Sequence, residues 1–275
     1  MTLKDYQIVN REAWQKFAEE YIEPAERGWK SGDPHWGIWQ IPEAKLELLP
    51  SDLKGKKCIE IGCGAGYVSS WMARRGAEVV GIDPTPNQLK TARRLEKQYH
   101  LGIEFVEGFG EKLPFPDSCF DFAISEYGAS LWANPYEWIP EAARVLKPES
   151  QLVFMTNHAF AFCCLPDEED ENAPLSEQLQ RPYLGLFKNK WEFSADEIEF
   201  HLPHGNWIKL LRDNGFVIER LLELGASPES RSGSKAIEAA ETITLGTPSS
   251  RYGWADAEWA SKWPTEEVWC VRLCN

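Results

Sequence analysis

Apolar runs and turn residues alternate regularly through the middle of the chain. Five runs have the length of a buried strand: KCIEI (57–61), EVVGID (78–83), IEFVEG (103–108), FDFAIS (120–125) and QLVFMT (151–156). Segments between them place apolar residues on one helical face, as Val68, Trp71 and Met72 do before Gly76. This alternation predicts a parallel sheet with helices on both faces and right-handed crossovers.

The same pattern returns near the carboxyl end. A helix is predicted at 206–216 and strands at 216–224 and 267–274, which completes a Rossmann-like, doubly wound α/β sheet of seven mostly parallel strands. We expect a single domain over 1–275. Its parts are an N-terminal cap (1–50), a core (51–156), an insertion or lid (157–205) and a C-terminal completion of the sheet (206–275) with a second insertion at 225–264.

Local signals predict details of the flanking elements. Apolar residues at helical spacing predict a helix over 10–21, and GDPHWGIWQIPE (32–43) is interpreted as an aromatic loop. For the helix that ends near residue 99, Thr85 is the predicted N-cap, Pro86 the first-turn proline and Gln88 the capping-box partner.

Composition narrows the function classes. A formal net charge of −14 argues against a nucleic-acid partner, because such binding depends on basic residues that neutralise phosphates. No apolar run reaches the roughly 20 residues needed to span a bilayer, and the first residues lack a signal-peptide core, so a cytoplasmic protein without a membrane partner is expected. The seven cysteines are expected to be reduced.

The turn after the first core strand carries the candidate chemistry. A strand, a glycine-rich turn and a helix aim backbone N–H groups at a ligand. Gly62, Gly64 and Gly66 give G-x-G-x-G, whereas dinucleotide sites use G-x-G-x-x-G. Glu60 would repel a pyrophosphate and attract an ammonium, and Asp83 ends the next strand, where a carboxylate accepts ribose hydroxyls.

The stretches IEIGCGAG, VVGID, GEKLPFPDSCFDFAIS and EAARVLKPESQLVF resemble class I S-adenosylmethionine-dependent methyltransferases of the small-molecule branch. The resemblance implies S-adenosyl-L-methionine as cofactor and a small-molecule acceptor, and it leaves the acceptor, the methylated atom and the oligomeric state open. The residues expected to bind the cofactor are Tyr21, Trp39, Glu60, Gly62, Gly64, Asp83, Pro84, Gln88, Gly110, Glu111 and Ser125. Phe109 stands where the family often has an acid, so adenine is expected to rest on an aromatic or backbone contact.

The acceptor is expected at the carboxyl end of the fourth strand. Glu126 and Tyr127 should lie close to the methyl group, and Trp36, Trp39 and Trp132 are either walls of the acceptor pocket or core packing.

His204 is the candidate general base, because an unperturbed pKa of about 6.5 leaves a histidine mostly neutral at pH 7. The alternative is that His204 only caps or packs the start of its helix. No metal site is expected, since HLPH (201–204) has no suitably spaced carboxylate and the adjacent Cys163 and Cys164 diverge. Two other functions stay open: a nicotinamide-dependent oxidoreductase, and a non-catalytic protein that keeps the nucleotide pocket.

Overall fold

The computed structural model describes residues 3–166, 175–190, 197–226 and 257–274. Its strands, in chain order, are β1 (His35–Trp36), β2 (Ile41–Pro42), β3 (Lys57–Ile61), β4 (Glu78–Asp83), β5 (Glu104–Glu107), β6 (Phe120–Glu126), β7 (Leu146–Asn157), β8 (Lys188–Lys190), β9 (Ile198–Phe200), β10 (Phe216–Leu224) and β11 (Glu266–Leu273). Its helices are α1 (Asp5–Phe17), α2 (Ile22–Lys30), α3 (Glu43–Leu46), α4 (Tyr67–Arg74), α5 (Pro86–Tyr99), α6 (Ala129–Trp132), α7 (Pro135–Val145), α8 (Ala159–Cys164), α9 (His204–Asp213) and α10 (Ala257–Ala260).

Seven strands form one sheet in the order β10-β11-β7-β6-β3-β4-β5. The pairs from β7 to β5 are parallel, and β11 lies antiparallel between β7 and β10. The predicted Rossmann-like, seven-stranded, mostly parallel sheet is therefore confirmed. Since β11 runs against its neighbours, its first residues lie at the edge where the parallel strands end.

The central strands are buried on both faces, which explains their nearly continuous apolar sequences. Neighbouring residues of one strand enter different clusters: Cys58 packs with Trp29 and Met72 in what we call the first-face cluster. Ile59 packs with Trp138, in the second-face cluster. Helices therefore cover both faces of the sheet, and the sheet edge between them is left for a site.

The N-terminal cap differs from its predicted form. The helix expected over 10–21 begins earlier and ends at Phe17, and after a turn the chain forms α2, which the pattern did not indicate. The expected aromatic loop contains the antiparallel pair β1 and β2. Trp36 is fully buried there, edge-on to Trp71 with 5.4 Å between ring centroids, so it is core packing and not a pocket wall.

Two helix starts also differ in detail. Thr85 is the N-cap of α5 and Pro86 its first residue, but the Thr85 side chain makes no capping hydrogen bond, so the predicted capping box is wrong. Gln88 lines a cavity instead. Helix α9 begins at His204, two residues before the predicted start, and it ends before Gly215, whose φ of +82° suits glycine.

The insertions are described in part. Residues 167–174 and 191–196 of the first insertion and residues 227–256 of the second lie outside the described residues. The division of the chain into these parts stays a prediction. All seven cysteines are free thiols. Among the described helices, none combines the length and the apolar character that a membrane crossing requires.

Candidate functional site

The glycine-rich turn between β3 and α4 forms the floor of a cavity at the carboxyl edge of the sheet. Gly62, Gly64 and Gly66 all have positive φ, the region in which glycine carries no steric cost. A Cβ on Gly64 would meet nothing closer than 3.9 Å, so this part of the turn is open to a ligand. The turn can therefore offer its backbone at close range.

Asp83 supports this turn from the end of β4. Its Oδ2 accepts the N–H of Gly64 at 2.9 Å, and its Oδ1 accepts the N–H of Thr85 at 2.8 Å. Burial raises the pKa of the carboxyl, while both backbone donors act against that rise. Asp83 lines the cavity and keeps free lone pairs, so it can also accept hydroxyl groups of a ligand.

Glu60 lies beneath the turn and lines the same cavity. Its Oε2 accepts hydrogen bonds from both the backbone N–H and the hydroxyl of Ser69 in α4. Burial raises the pKa of Glu60 to about 8. A cation beside a buried carboxyl of this kind lowers its pKa and so favours the ionised form.

Further predicted residues line the cavity beyond Asp83: Pro84, Gln88, Gly110, Glu111 and, as the predicted aromatic contact, Phe109. Gln88 Oε1 is buried and has no hydrogen-bond partner among the described residues, so it can accept a hydrogen bond from a ligand. Glu111 is held by the Tyr6 hydroxyl at 2.8 Å, and burial raises its pKa.

Glu126 is the last residue of β6, and Tyr127 is the first residue of the turn that follows it. Glu126 lines the cavity and accepts the Tyr67 hydroxyl, and the N–H of Gly37 lies 3.4 Å from its Oε1. Tyr127 also lines the cavity, and its φ of +51° is unusual for a residue with a side chain. Strained backbone of this kind is maintained when surrounding contacts determine it.

Aromatic rings close the cavity from the side of the cap. Trp14, Tyr21 and Trp132 line it, and the Trp14 ring lies 5.1 Å from each of the other two, centroid to centroid. Asn10 fixes this wall because its amide group bonds to the Trp132 carbonyl and to both backbone polar groups of Ile198. Helix α1, α6 and β9 are thus joined above the cavity.

Two predicted cofactor residues lie elsewhere. Trp39 is outside the cavity lining: it donates to Thr265 Oγ1 at 2.7 Å and packs with Trp259 and its neighbours. Ser125 is fully buried within the sheet, where its hydroxyl donates to the Ile61 carbonyl. Neither residue lines the cavity, because the polar group of each is used by a structural contact away from it.

The structure also contradicts His204 as a base in this cavity. His204 is the first residue of α9 and lies edge-on to Trp269 of the second-face cluster, whereas Tyr127 packs against the first-face cluster. Its Nε2 is 2.6 Å from Oε2 of the buried Glu267. This hydrogen bond raises the pKa of His204 and favours its cationic form, which supports the alternative of a packing role.

His158, His204 and Glu267 bring one ligand atom each within 4.8 Å of one another. The sequence spacing did not show this, because the carboxylate comes from β11. His158 Nδ1 accepts the N–H of Phe160, so the neutral ring carries its proton on Nε2, 2.9 Å from Glu223. A metal-bound Nε2 needs that proton on the other nitrogen. We therefore interpret the cluster as a hydrogen-bonded one.

Tyr67 and Glu266 are site residues that the sequence reasoning missed. Tyr67 binds Glu126, and Glu266 accepts the Tyr127 hydroxyl and the N–H of Ile38. Glu266 could have been found from the acidic residues at the start of the last strand. An antiparallel strand begins at the edge where the parallel strands end, and that edge carries the site. Burial raises the pKa of Glu266 to about 8.

Comparison with known proteins agrees with this geometry. Residues 59–154 match the methyltransferase domain family. The core of the chain is therefore a methyltransferase domain. An S-adenosylmethionine-dependent methyltransferase from Mesorhizobium loti superposes on this methyltransferase domain and its flanks with a TM-score of 0.62 at 22% identity, over 83% of this chain and 95% of that one.

Two curated methyltransferases are similar over the core alone. The fatty-acid O-methyltransferase of Mycolicibacterium smegmatis is 34% identical over 106 residues, which is 38% of each chain. The chloroplastic 2-methyl-6-phytyl-1,4-hydroquinone methyltransferase 2 of Oryza sativa subsp. japonica is 36% identical over 115 residues, 40% of this chain and 32% of that protein. The matched part therefore spans less than half of either relative.

The family match and the resemblance of the core motifs point to S-adenosylmethionine as the cofactor of this methyltransferase domain. The cavity fits it on three observations: an open glycine turn, the buried carboxylates Asp83 and Glu60, and the unpartnered Gln88 Oε1.

Proposed function

We propose that this chain transfers the methyl group of S-adenosylmethionine to a small-molecule acceptor by in-line displacement. One observation carries the proposal: the turn after β6, which directly follows Glu126 and contains Tyr127, lies in backbone contact with the glycine turn. A Cβ on Gly128 would be 2.2 Å from the Gly62 carbonyl oxygen. Polar side chains and cofactor turn therefore share one cavity.

The cofactor is held by residues of β3 and β4 and of the segments that follow β3, β4 and β5. We assign Asp83 to the ribose hydroxyls, Glu60 to the ammonium side, and Phe109 to the adenine face. Gln88, whose Oε1 is buried without a partner, supplies an acceptor next to Pro84 and Asp83. In these roles the carboxyl groups of Asp83 and Glu60 are ionised, which is the state that a ligand with hydroxyl and ammonium groups favours.

The bound sulfonium supplies a methyl group that is already strongly electrophilic. The protein's task is therefore alignment, exclusion of water and removal of a proton where the acceptor carries one. Trp14, Tyr21 and Trp132 provide an aromatic wall that orients an acceptor. Glu126 is the candidate base, since it lines the cavity with a pKa raised by burial.

The test is methyl transfer from radiolabelled S-adenosylmethionine to a panel of small phenols, amines, thiols and carboxylates, alongside calorimetry with S-adenosylhomocysteine. The proposal is supported if the wild type forms a labelled product and the Asp83→Asn variant does not. Cofactor binding without turnover on any acceptor would favour the non-catalytic alternative. The oxidoreductase alternative predicts binding of a nicotinamide dinucleotide, against which the buried Glu60 argues. The predicted cytoplasmic location and the absence of a nucleic-acid partner stay predictions.

A further inference from the structure

The part of the cavity formed by Tyr67, Glu126 and Tyr127 is called the acceptor end here. Glu266 lies behind it and binds Tyr127. Both glutamates belong to strand ends at the same sheet edge, Glu126 as the last residue of β6 and Glu266 as the first of β11. They are close enough that the charge of Glu126 contributes to the raised pKa of Glu266.

Carboxylates dominate the charged lining of the cavity. Glu60, Asp83, Glu111 and Glu126 line it, and the described part of the lining contains no lysine, arginine or histidine. Glu60 and Asp83 adjoin the glycine turn and Glu111 is bound to Tyr6 of the cap. Glu126 is the carboxylate that stands at the acceptor end.

Among the residues that the structure describes, neither glutamate has a cationic partner at this end of the cavity. Glu126 is bound by the Tyr67 hydroxyl and lies near one backbone N–H, and Oε2 of the fully buried Glu266 has no hydrogen-bond partner among the described residues. Buried carboxylates are stable when paired with a cation or protonated. A cationic ligand here would supply the missing charge.

We propose, on the basis of the proposed function, that the acceptor is an amine whose ammonium group binds at Glu126 before transfer. The nitrogen gives one proton to the Glu126 carboxylate and keeps the N–H electron pair. That pair forms the new N–C bond, the C–S bond breaks, and its electrons stay on sulfur as the neutral thioether. The product is an N-methylated ammonium as soon as the N–C bond has formed, and the proton held by Glu126 passes to solvent when the product leaves.

The surrounding groups favour this acceptor over an anion. A carboxylate acceptor would have to be buried beside Glu126 with no basic side chain in the described lining, which is costly. Trp14, Tyr21 and Trp132 line the same cavity, and aromatic rings attract cations. Tyr67 can donate to Glu126 throughout and so hold the carboxylate in place.

The experiment uses matched probes on aromatic, alicyclic and alkyl scaffolds, each as an amine, an alcohol and a carboxylate. Binding to the protein loaded with S-adenosylhomocysteine is measured by calorimetry, and turnover with radiolabelled S-adenosylmethionine. We expect amines to bind about tenfold or more tightly than their alcohols and to be the labelled products. Glu126→Gln should remove that preference, whereas Glu104→Gln, at an exposed position on β5, should keep it.

The cofactor provides the decisive control, because its sulfonium is also a cation. If Glu126 binds the acceptor, the ratio of the affinities for S-adenosylmethionine and S-adenosylhomocysteine is the same in Glu126→Gln as in the wild type. A loss confined to S-adenosylmethionine would assign Glu126 to the sulfonium and overturn the inference. So would cofactor binding without any preference for amines, or turnover on alcohols or carboxylates alone. Failure to bind the cofactor at all would instead contradict the proposed function.

Discussion

Gly62 and Gly128 lie in backbone contact across the floor of the cavity. A Cβ on Gly62 would be 2.6 Å from the Gly128 Cα and 2.4 Å from the Ala129 nitrogen. Two turns that follow different strands, β3 and β6, are thereby fixed to each other. The cofactor turn and the acceptor end cannot move apart independently while this contact holds.

Gly62→Ala should therefore damage both stability and cofactor binding. Gly102 is a matched control, because its φ is also +79° and a Cβ there would meet nothing within 4 Å. Gly102→Ala should cost only backbone strain, about 1–2 kcal/mol. Urea unfolding should show a clearly larger loss for Gly62→Ala, with weaker S-adenosylhomocysteine binding in that variant alone. Equal losses of stability in the two variants would mean that the contact between Gly62 and Gly128 does not stabilise the fold.

Asp83→Asn should weaken S-adenosylhomocysteine binding about tenfold or more, since a charge-assisted hydrogen bond contributes about 1.5–3 kcal/mol. Asp83 accepts hydrogen bonds from two backbone N–H groups, and the variant loses one of these bonds because an amide has a single acceptor oxygen. Calorimetry gives the affinity, and thermal unfolding separates the loosened turn from lost ligand contacts. Unchanged affinity would remove Asp83 from the ribose assignment.

Local patterns predicted the sheet and the cofactor turn well, because strand, turn and helix follow one another there within a few residues. Asp83, which was predicted from its distance after Gly62, lines the cavity. Trp39 and Ser125 were misplaced because the direction of a side chain depends on contacts with distant segments, Thr265 for one and Ile61 for the other. Glu266 was missed because its role follows from the antiparallel placement of β11.

Cofactor binding should release a proton from Glu60. Burial raises its pKa to about 8, so the free protein holds this group mostly protonated at pH 7. A ligand ammonium beside it favours the carboxylate, and binding should therefore tighten as the pH rises towards 8. Calorimetry at pH 7 in buffers of different ionisation enthalpy counts the released protons. Glu60→Gln should abolish part of that release, and Glu104→Gln should leave it intact; an equal count in all three proteins would contradict the assignment.

His204 should stabilise the fold most at low pH. Its hydrogen bond to Glu267 raises the pKa of the folded state above the ordinary value of about 6.5. A raised pKa means that the folded protein holds the proton more tightly, so the stabilisation is complete below about pH 6.5 and is lost as the pH rises through the folded value. The melting temperature of the wild type should thus exceed that of His204→Gln by a few degrees near pH 6, and by less near pH 9. His100→Asn is the control, because His100 is exposed and its φ of +53° suits asparagine. A difference that grows with pH would show that His204 is neutral when bound to Glu267, and the interpretation of an ion pair between α9 and β11 would then be wrong.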